Sequence, residues 1–232
     1  MIYIAICSAL LPVLLLLFYI YRKDSLQPEP VRWLWKAVCY GVSSALLISL
    51  WGMLYPGFTE LFPWTDGTVI GSVGTAFFDA AFPEEAAKML MLWLLIRKNP
   101  YFDEHLDGIV YATCVGLGFA GLENILYVVD SLDSFVEVAV SRALFAVPGH
   151  FFFAVAMGYF LSLAYFEGRN KTFYYLLAYI VPVLLHGIYD GILMSMQTLP
   201  MLSGLLVLVF LLFVHYLRKS GLRRIDELAK KG

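Results

Sequence analysis

Seven apolar runs divide the chain, near residues 2–20, 35–55, 69–96, 109–129, 142–166, 173–196 and 201–217. Each approaches the roughly 20 residues that an α-helix needs to cross a bilayer. The fold class expected is all-α: a polytopic membrane protein with about seven transmembrane helices. It is read as one integral domain over 1–232, with core spans about 69–196 and a short basic tail over 218–232. The first run, from Ile2 to Ile20, lacks a basic stretch before it and runs into Tyr21, Arg22 and Lys23 rather than a small-residue cleavage site, so it reads as a retained span. Three spans are interrupted by proline just upstream of polar groups: Pro83 before Glu84, Pro148 before His150, and Pro182 four residues before His186. Proline within a helix frees a carbonyl, which a membrane tolerates only where neighbours or cavity water satisfy it.

Charge fixes the expected orientation. Fourteen of the sixteen Lys and Arg residues fall on alternate connections and the tail: Arg22, Lys23, Arg32 and Lys36, then Arg97 and Lys98, then Arg169 and Lys171, then Arg218, Lys219, Arg223, Arg224, Lys230 and Lys231. The opposite connections carry Glu60, Asp66, Asp130, Asp133 and Glu137, with no base before Arg142. By the positive-inside rule the N-terminus is outside and the C-terminus inside. The tail from Leu222 to Lys231 has the pattern of a short amphipathic helix at the inner surface.

Composition agrees: 61% of residues are hydrophobic and 15% charged, too apolar for an ordinary soluble domain. A net charge of −2 and the lack of an extended basic surface exclude nucleic acid as a partner and leave membrane lipid as the surroundings. The three cysteines, Cys7, Cys39 and Cys114, lack metal-knuckle spacing and read as packing residues.

Against this background the informative residues are the ionisable ones inside the runs. Asp79, Glu84, Glu85 and Lys88 share the third; Glu123 lies in the fourth, His150 in the fifth, and His186 and Asp190 in the sixth. Each charge left facing lipid costs roughly 2.5–3.5 kcal/mol at mid-helix. Eight such groups would together exceed a typical folding free energy of about 5–15 kcal/mol, so they are expected to converge on a central polar cavity. Helical spacing pairs Glu84 with Lys88 and His186 with Asp190 at i, i+4, leaving Glu85 about 100° round the axis and free to point elsewhere. Phe119, Glu123 and Tyr127 share a face, beside Gly116, Gly118 and Gly121, which admit another helix closely. The glutamate pair and His186 fall near mid-membrane. Glu123 and His150 lie about 6 Å further out, and Asp190 about 8 Å out. The inner half of every span is expected to lack such groups, so the cavity should open outwards.

Paired carboxylates with imidazoles in a partly dry site suit activation of water: a carboxylate takes the proton while the imidazoles steady an oxyanion or hold a metal. Two histidines and a carboxylate suit one divalent ion such as zinc, with His150, His186, Glu85 or Glu123 as ligands; the residues leave metal dependence open. Neither HExxH nor GxSxG occurs. The competing reading is a proton-coupled transporter or channel, which the same acids and histidines could serve; the apolar inner half and the lack of a repeat count against it.

Together these motifs resemble the PrsW family of intramembrane proteases, and more distantly the type II CAAX prenyl proteases and their bacteriocin-immunity relatives. The match runs from Lys23, Asp24, Glu29 and Pro30, through Glu84, Glu85 and Lys88, to the block from Phe102 to Tyr111. It continues through Gly118, Phe119, Ala120, Glu123, Asn124 and Tyr127, then Arg142 and His150, and ends at His186, Gly187, Tyr189 and Asp190. The resemblance implies a multi-pass protein of the bacterial cell membrane. It also implies site-1 cleavage of the extracytoplasmic part of a single-pass anti-sigma factor, as in a stress response. Carried over by position, Glu84, Glu85 and His186 form the catalytic core, Glu123, His150 and Asp190 are supporting catalytic groups, and Lys88, Asn124 and Phe119 are structural supports. Relative to the CAAX enzymes, the base after the glutamate pair comes one position sooner and is Lys rather than Arg, and Glu123 stands where a histidine is expected. Both departures count against prenyl-peptide processing, and which glutamate is the base stays open.

Overall fold

A computed structural model of the chain describes residues 1–167 and 170–230, so Arg169 and Lys231 of the charge pattern lie outside the described residues. Seven long helices account for most of what is described, and there is no strand among the described residues. They are α1 (Ile2–Lys23), α2 (Val31–Leu54), α3 (residues 69–96), α4 (His105–Asp130), α5 (residues 135–166), α6 (Lys171–Thr198) and α7 (Ser203–Leu228). By length and apolarity α1, α2, α4, α5, α6 and α7 can each cross a membrane. Helix α3 does not meet that standard because Asp79, Glu84, Glu85 and Lys88 crowd into ten consecutive residues.

Helix α4 is the axis of the bundle. From Leu106 to Gly121 it is buried without interruption, and it packs against α1, α2 and α5. Such burial on every face requires neighbours that come in close, and small residues provide it. A Cβ at Gly118 would overlap the Val38 carbonyl of α2, and one at Gly158 of α5 would overlap the backbone of Gly108 in α4. Gly116 is also tight, against Ala154, whereas Gly121 has only ordinary contacts and does not set a crossing. Replacing Gly158 by valine should force α4 and α5 apart and lower stability by about 1–3 kcal/mol, read as a reduced thermal midpoint in detergent.

Helices α3 and α5 share a feature that hydropathy does not reveal. Each contains a π-helical stretch, residues 75–81 and 142–146, that ends just before Pro83 and Pro148. The Phe82 N–H donates to the Phe77 carbonyl and the Val147 N–H to that of Arg142, both five residues back. A proline cannot donate to the carbonyl four residues before it, so the widened turn takes up the lost register. The consequence is local: the turns carrying Glu84, Glu85 and His150 begin anew after each widened stretch.

Two ends of the bundle are distinct. At one, Lys23 of α1 bonds Asp226 of α7 at 2.9 Å, and the Ser162 hydroxyl of α5 donates to the His105 carbonyl at the start of α4. The other end gathers the last turns of α4 and α6 and the start of α5. The described part of the tail is helical with one apolar face, as expected, but it continues α7 to Leu228 rather than forming a separate helix, and Ile225 and Leu228 are buried against the bundle. No proline separates the tail from the last span, and Gly221, between them, fits closely against the Phe152 ring of α5 and so draws the tail onto the bundle.

Candidate active site

The glutamate pair opens the second half of α3, and both side chains are buried, Glu85 completely. Lys88, one turn on, donates from Nζ to Glu84 Oε2 at 3.2 Å and to Glu85 Oε1 at 2.9 Å. The spacing rule had paired it with Glu84 alone. The ammonium reaches both because i, i+3 and i, i+4 neighbours lie on one side of a helix, and it rests 3.9 Å above the Phe119 ring of α4. Glu85 Oε1 also receives His186 Nδ1 at 2.9 Å, and His186 Nε2 lies 3.1 Å from Asp190 Oδ2. Both nitrogens of His186 therefore face carboxylate oxygens, an arrangement that a doubly protonated ring satisfies. The Phe153 ring stacks on it with centroids 4.9 Å apart.

A second chain of contacts crosses from α3 to α5 and α4. Lys88 Nζ lies 3.1 Å from His150 Nδ1, which accepts, so the ring hydrogen sits on Nε2 and is donated to Glu123 Oε2 at 3.0 Å. Glu123 in turn receives Arg142 Nη2 at 2.5 Å. Arg142 Nε bonds Asn124 Oδ1 at 2.6 Å, the Asn124 amide donates to the Ala9 carbonyl of α1, and the guanidinium covers the Tyr127 ring. The structure thus brings Glu84, Glu85, Lys88, Glu123, His150, His186 and Asp190 together, with Phe119 and Asn124 beside them. Asp79, expected among them, is elsewhere: its carboxylate accepts from the Phe58 N–H and pins the connection after α2. Arg142 was read as a solitary base at an acidic end and not as part of the site. That solitude was itself the signal, since a lone cation among acids finds one.

A pocket of about 600 Å³ adjoins these groups. Glu84, Glu123, His150, His186 and Asp190 line it, and Ser141, Met194 and Gln197 line it towards the end formed by the last turns of α4 and α6. Glu85 does not reach it. Glu84, Glu85, His150 and His186 each offer an atom within 4.8 Å of the others. Two carboxylates and two imidazoles are a donor set that zinc accepts, and Glu85 Oε2 is buried with no hydrogen-bond partner. The residues fit a divalent ion on two conditions: Lys88 Nζ, which now lies among three of the four donors, must move aside, so that ammonium and metal are alternative occupants, and His186 must give up a proton to free one ring nitrogen. Glu123, one of the expected ligands, is outside the set because Arg142 and His150 hold its carboxylate.

The end of the bundle away from the pocket also buries acids, just outside the apolar runs that the sequence marks. Asp24, Glu29 and Asp107 are buried near the start of α4. The Tyr111 hydroxyl donates to Glu29, and burial pushes the Asp24 carboxyl up to about 7 and that of Glu29 up to about 8.

Residues 29–217 match the model of a family described as PrsW family intramembrane metalloprotease. Protease PrsW of Geobacillus kaustophilus is 34% identical over 203 residues, covering 88% of this chain and 85% of its own. Protease PrsW of Clostridioides difficile is 36% identical, covering 80% and 77%, and that of Bacillus subtilis 36% identical, covering 83% and 84%. No solved structure matched the chain.

Proposed function

This chain belongs to the PrsW family of intramembrane metalloproteases, and we propose that it hydrolyses a peptide bond in the extracytoplasmic, juxtamembrane part of a single-pass anti-sigma factor, with Glu84 as general base. The observation that carries the assignment is the unequal placing of the two glutamates. Glu84 lines the pocket, whereas Glu85 is sealed behind it by Lys88 and His186.

In this reading Glu84 accepts a proton from a pocket water as its oxygen attacks the scissile carbonyl carbon. His186, held between Glu85 and Asp190 by both of its N–H groups, lines the pocket and stabilises the oxygen that gains charge through the positive charge of its ring. The C–N bond then breaks as Glu84 returns the proton to the leaving amine, so the base is regenerated. Lys88 fixes both glutamates, and the chain from His150 through Glu123 to Arg142 holds α4 and α5 in register at the pocket wall. Glu84, Glu85, His150 and His186 are the residues that would hold a metal, which when bound supplies Lewis acidity and a more acidic water.

The seven helices are taken to cross the membrane with the N-terminus outside, which puts the pocket mouth near Gln197 and Ser141 on the outer side of a bacterial cell membrane. A single-pass substrate could then present its outer juxtamembrane segment without entering the cytoplasmic half of the bundle. Co-expression with single-pass anti-sigma factors tests the reading: a shortened fragment should appear with the intact chain and be lost with Glu84→Gln. If metal is integral, purified protein should contain about one zinc-class ion per chain by elemental analysis, and chelation should abolish cleavage. A metal-free preparation that cleaves at full rate would remove metal from the account.

A further inference from the structure

At the end of the bundle away from the pocket, the connection between α1 and α2 folds onto the first turn of α4. Asp24, Glu104 and Asp107 there each bring a carboxylate oxygen within 4.8 Å of the others. Part of this is capping: Glu104 and Asp107 form a reciprocal capping box, and Asp107 Oδ2 accepts from the N–H groups of Asp103 and Glu104. Asp24 Oδ2 likewise accepts from the Glu29 N–H at 2.8 Å. Capping explains one oxygen of each aspartate and leaves the other. Asp24 Oδ1 is buried with no hydrogen-bond partner in a residue 1% exposed, and Asp107, 0% exposed, has beside its second oxygen only the buried Glu29 carboxyl.

Lys23, next in the chain, gives its ammonium to Asp226, and among the described residues none of the ion pairs includes Asp24, Glu104 or Asp107. A cavity of about 10 Å³, bordered by Lys23, Asp24, Gln27, Glu104 and Leu106 and adjoining Asp107 only through its neighbours, has room for one small ion or water. We propose that Asp24, Glu104 and Asp107 form a second cation site, for a hard divalent ion such as Mg²⁺ or Ca²⁺, that clamps the first connection onto the start of α4. The donor set is oxygen alone, without histidine or cysteine, which selects hard ions over zinc. The oxygen spacing suits metal–oxygen distances of about 2.0–2.6 Å. Such a site would brace the inner end of the helix that carries Glu123 at its outer end.

The test is the thermal midpoint of the purified full chain in detergent, stripped with chelator and then titrated with Mg²⁺ or Ca²⁺. At ten times the dissociation constant the midpoint should rise by about 3–6 °C, and the ion that acts at lower concentration identifies the site's preference. In Asp24→Asn the rise should vanish while the chelated midpoint stays at or above that of the unaltered chain, because one buried repulsion is gone. A purely structural aspartate would instead lower the chelated midpoint. No rise with either ion in the unaltered chain, or a full rise in Asp24→Asn, would overturn the proposal. Should Asp24→Asn not fold, Glu104→Gln replaces it, and Tb³⁺ luminescence excited through tyrosine reads binding directly in the unaltered chain. Emission that Mg²⁺ or Ca²⁺ displaces supports the site, and its absence refutes it.

Discussion

Glu84→Gln should abolish fragment formation while leaving a folded, membrane-inserted protein. The amide cannot take a proton from water, and loss of a positioned general base typically costs a factor of about 10²–10⁴ in rate. It keeps the shape of the carboxylate and one acceptor oxygen for Lys88, so the thermal midpoint should move little. Glu85→Gln should behave differently. Its carboxylate answers both Lys88 and His186 at 2.9 Å, so this variant should lose stability as well as cleavage. Quantified fragment yield and the detergent melting point, measured side by side, separate the two roles. Cleavage at the normal rate by Glu84→Gln, or equal melting losses in both variants, would mean that the roles are assigned wrongly.

The second large effect is expected at Lys88. Its ammonium touches Glu84, Glu85 and His150 and is itself only 3% exposed. Removing one partner of a buried ion pair leaves a charge uncompensated and costs about 3–5 kcal/mol. Lys88→Met keeps most of the side-chain volume and the contact with Phe119, so the loss of stability can be ascribed to charge. Added zinc should then recover part of that loss, because the metal and the ammonium compete for the same donors. A Lys88→Met chain as stable as the original without metal would show that the two glutamates do not depend on this base.

Much of this architecture could be seen in the order of residues, for physical reasons that also mark where reading stopped. Runs of about 20 apolar residues have few alternatives to a helix in lipid, so the long helices follow directly. The spacing of His186 and Asp190 gave a contact that exists, and Phe119, Glu123 and Tyr127 do share a face. The π-helical stretches left no mark in hydropathy, although Pro83 and Pro148 indicated where the register would change. Lys88 was paired with one glutamate because helical geometry names several possible neighbours, and packing from α4 chooses among them. Asp79 was drawn into the site by the cost of burying it; a half-buried position beside the connection after α2 lets it cap Phe58 instead. Asp24 and Asp107 were passed over for the opposite reason, since acids flanking an apolar run look hydrated until tertiary packing covers them.

The central claim is that these side chains meet in one water-filled pocket that opens at the outer face. Thiol labelling tests it most directly, using single cysteines at Met194 and Gln197 of the pocket wall in a chain from which Cys7, Cys39 and Cys114 have been removed. Both positions should react in intact cells with a charged, membrane-impermeant reagent. Labelling only after the cells are permeabilised, or not at all, would contradict the account.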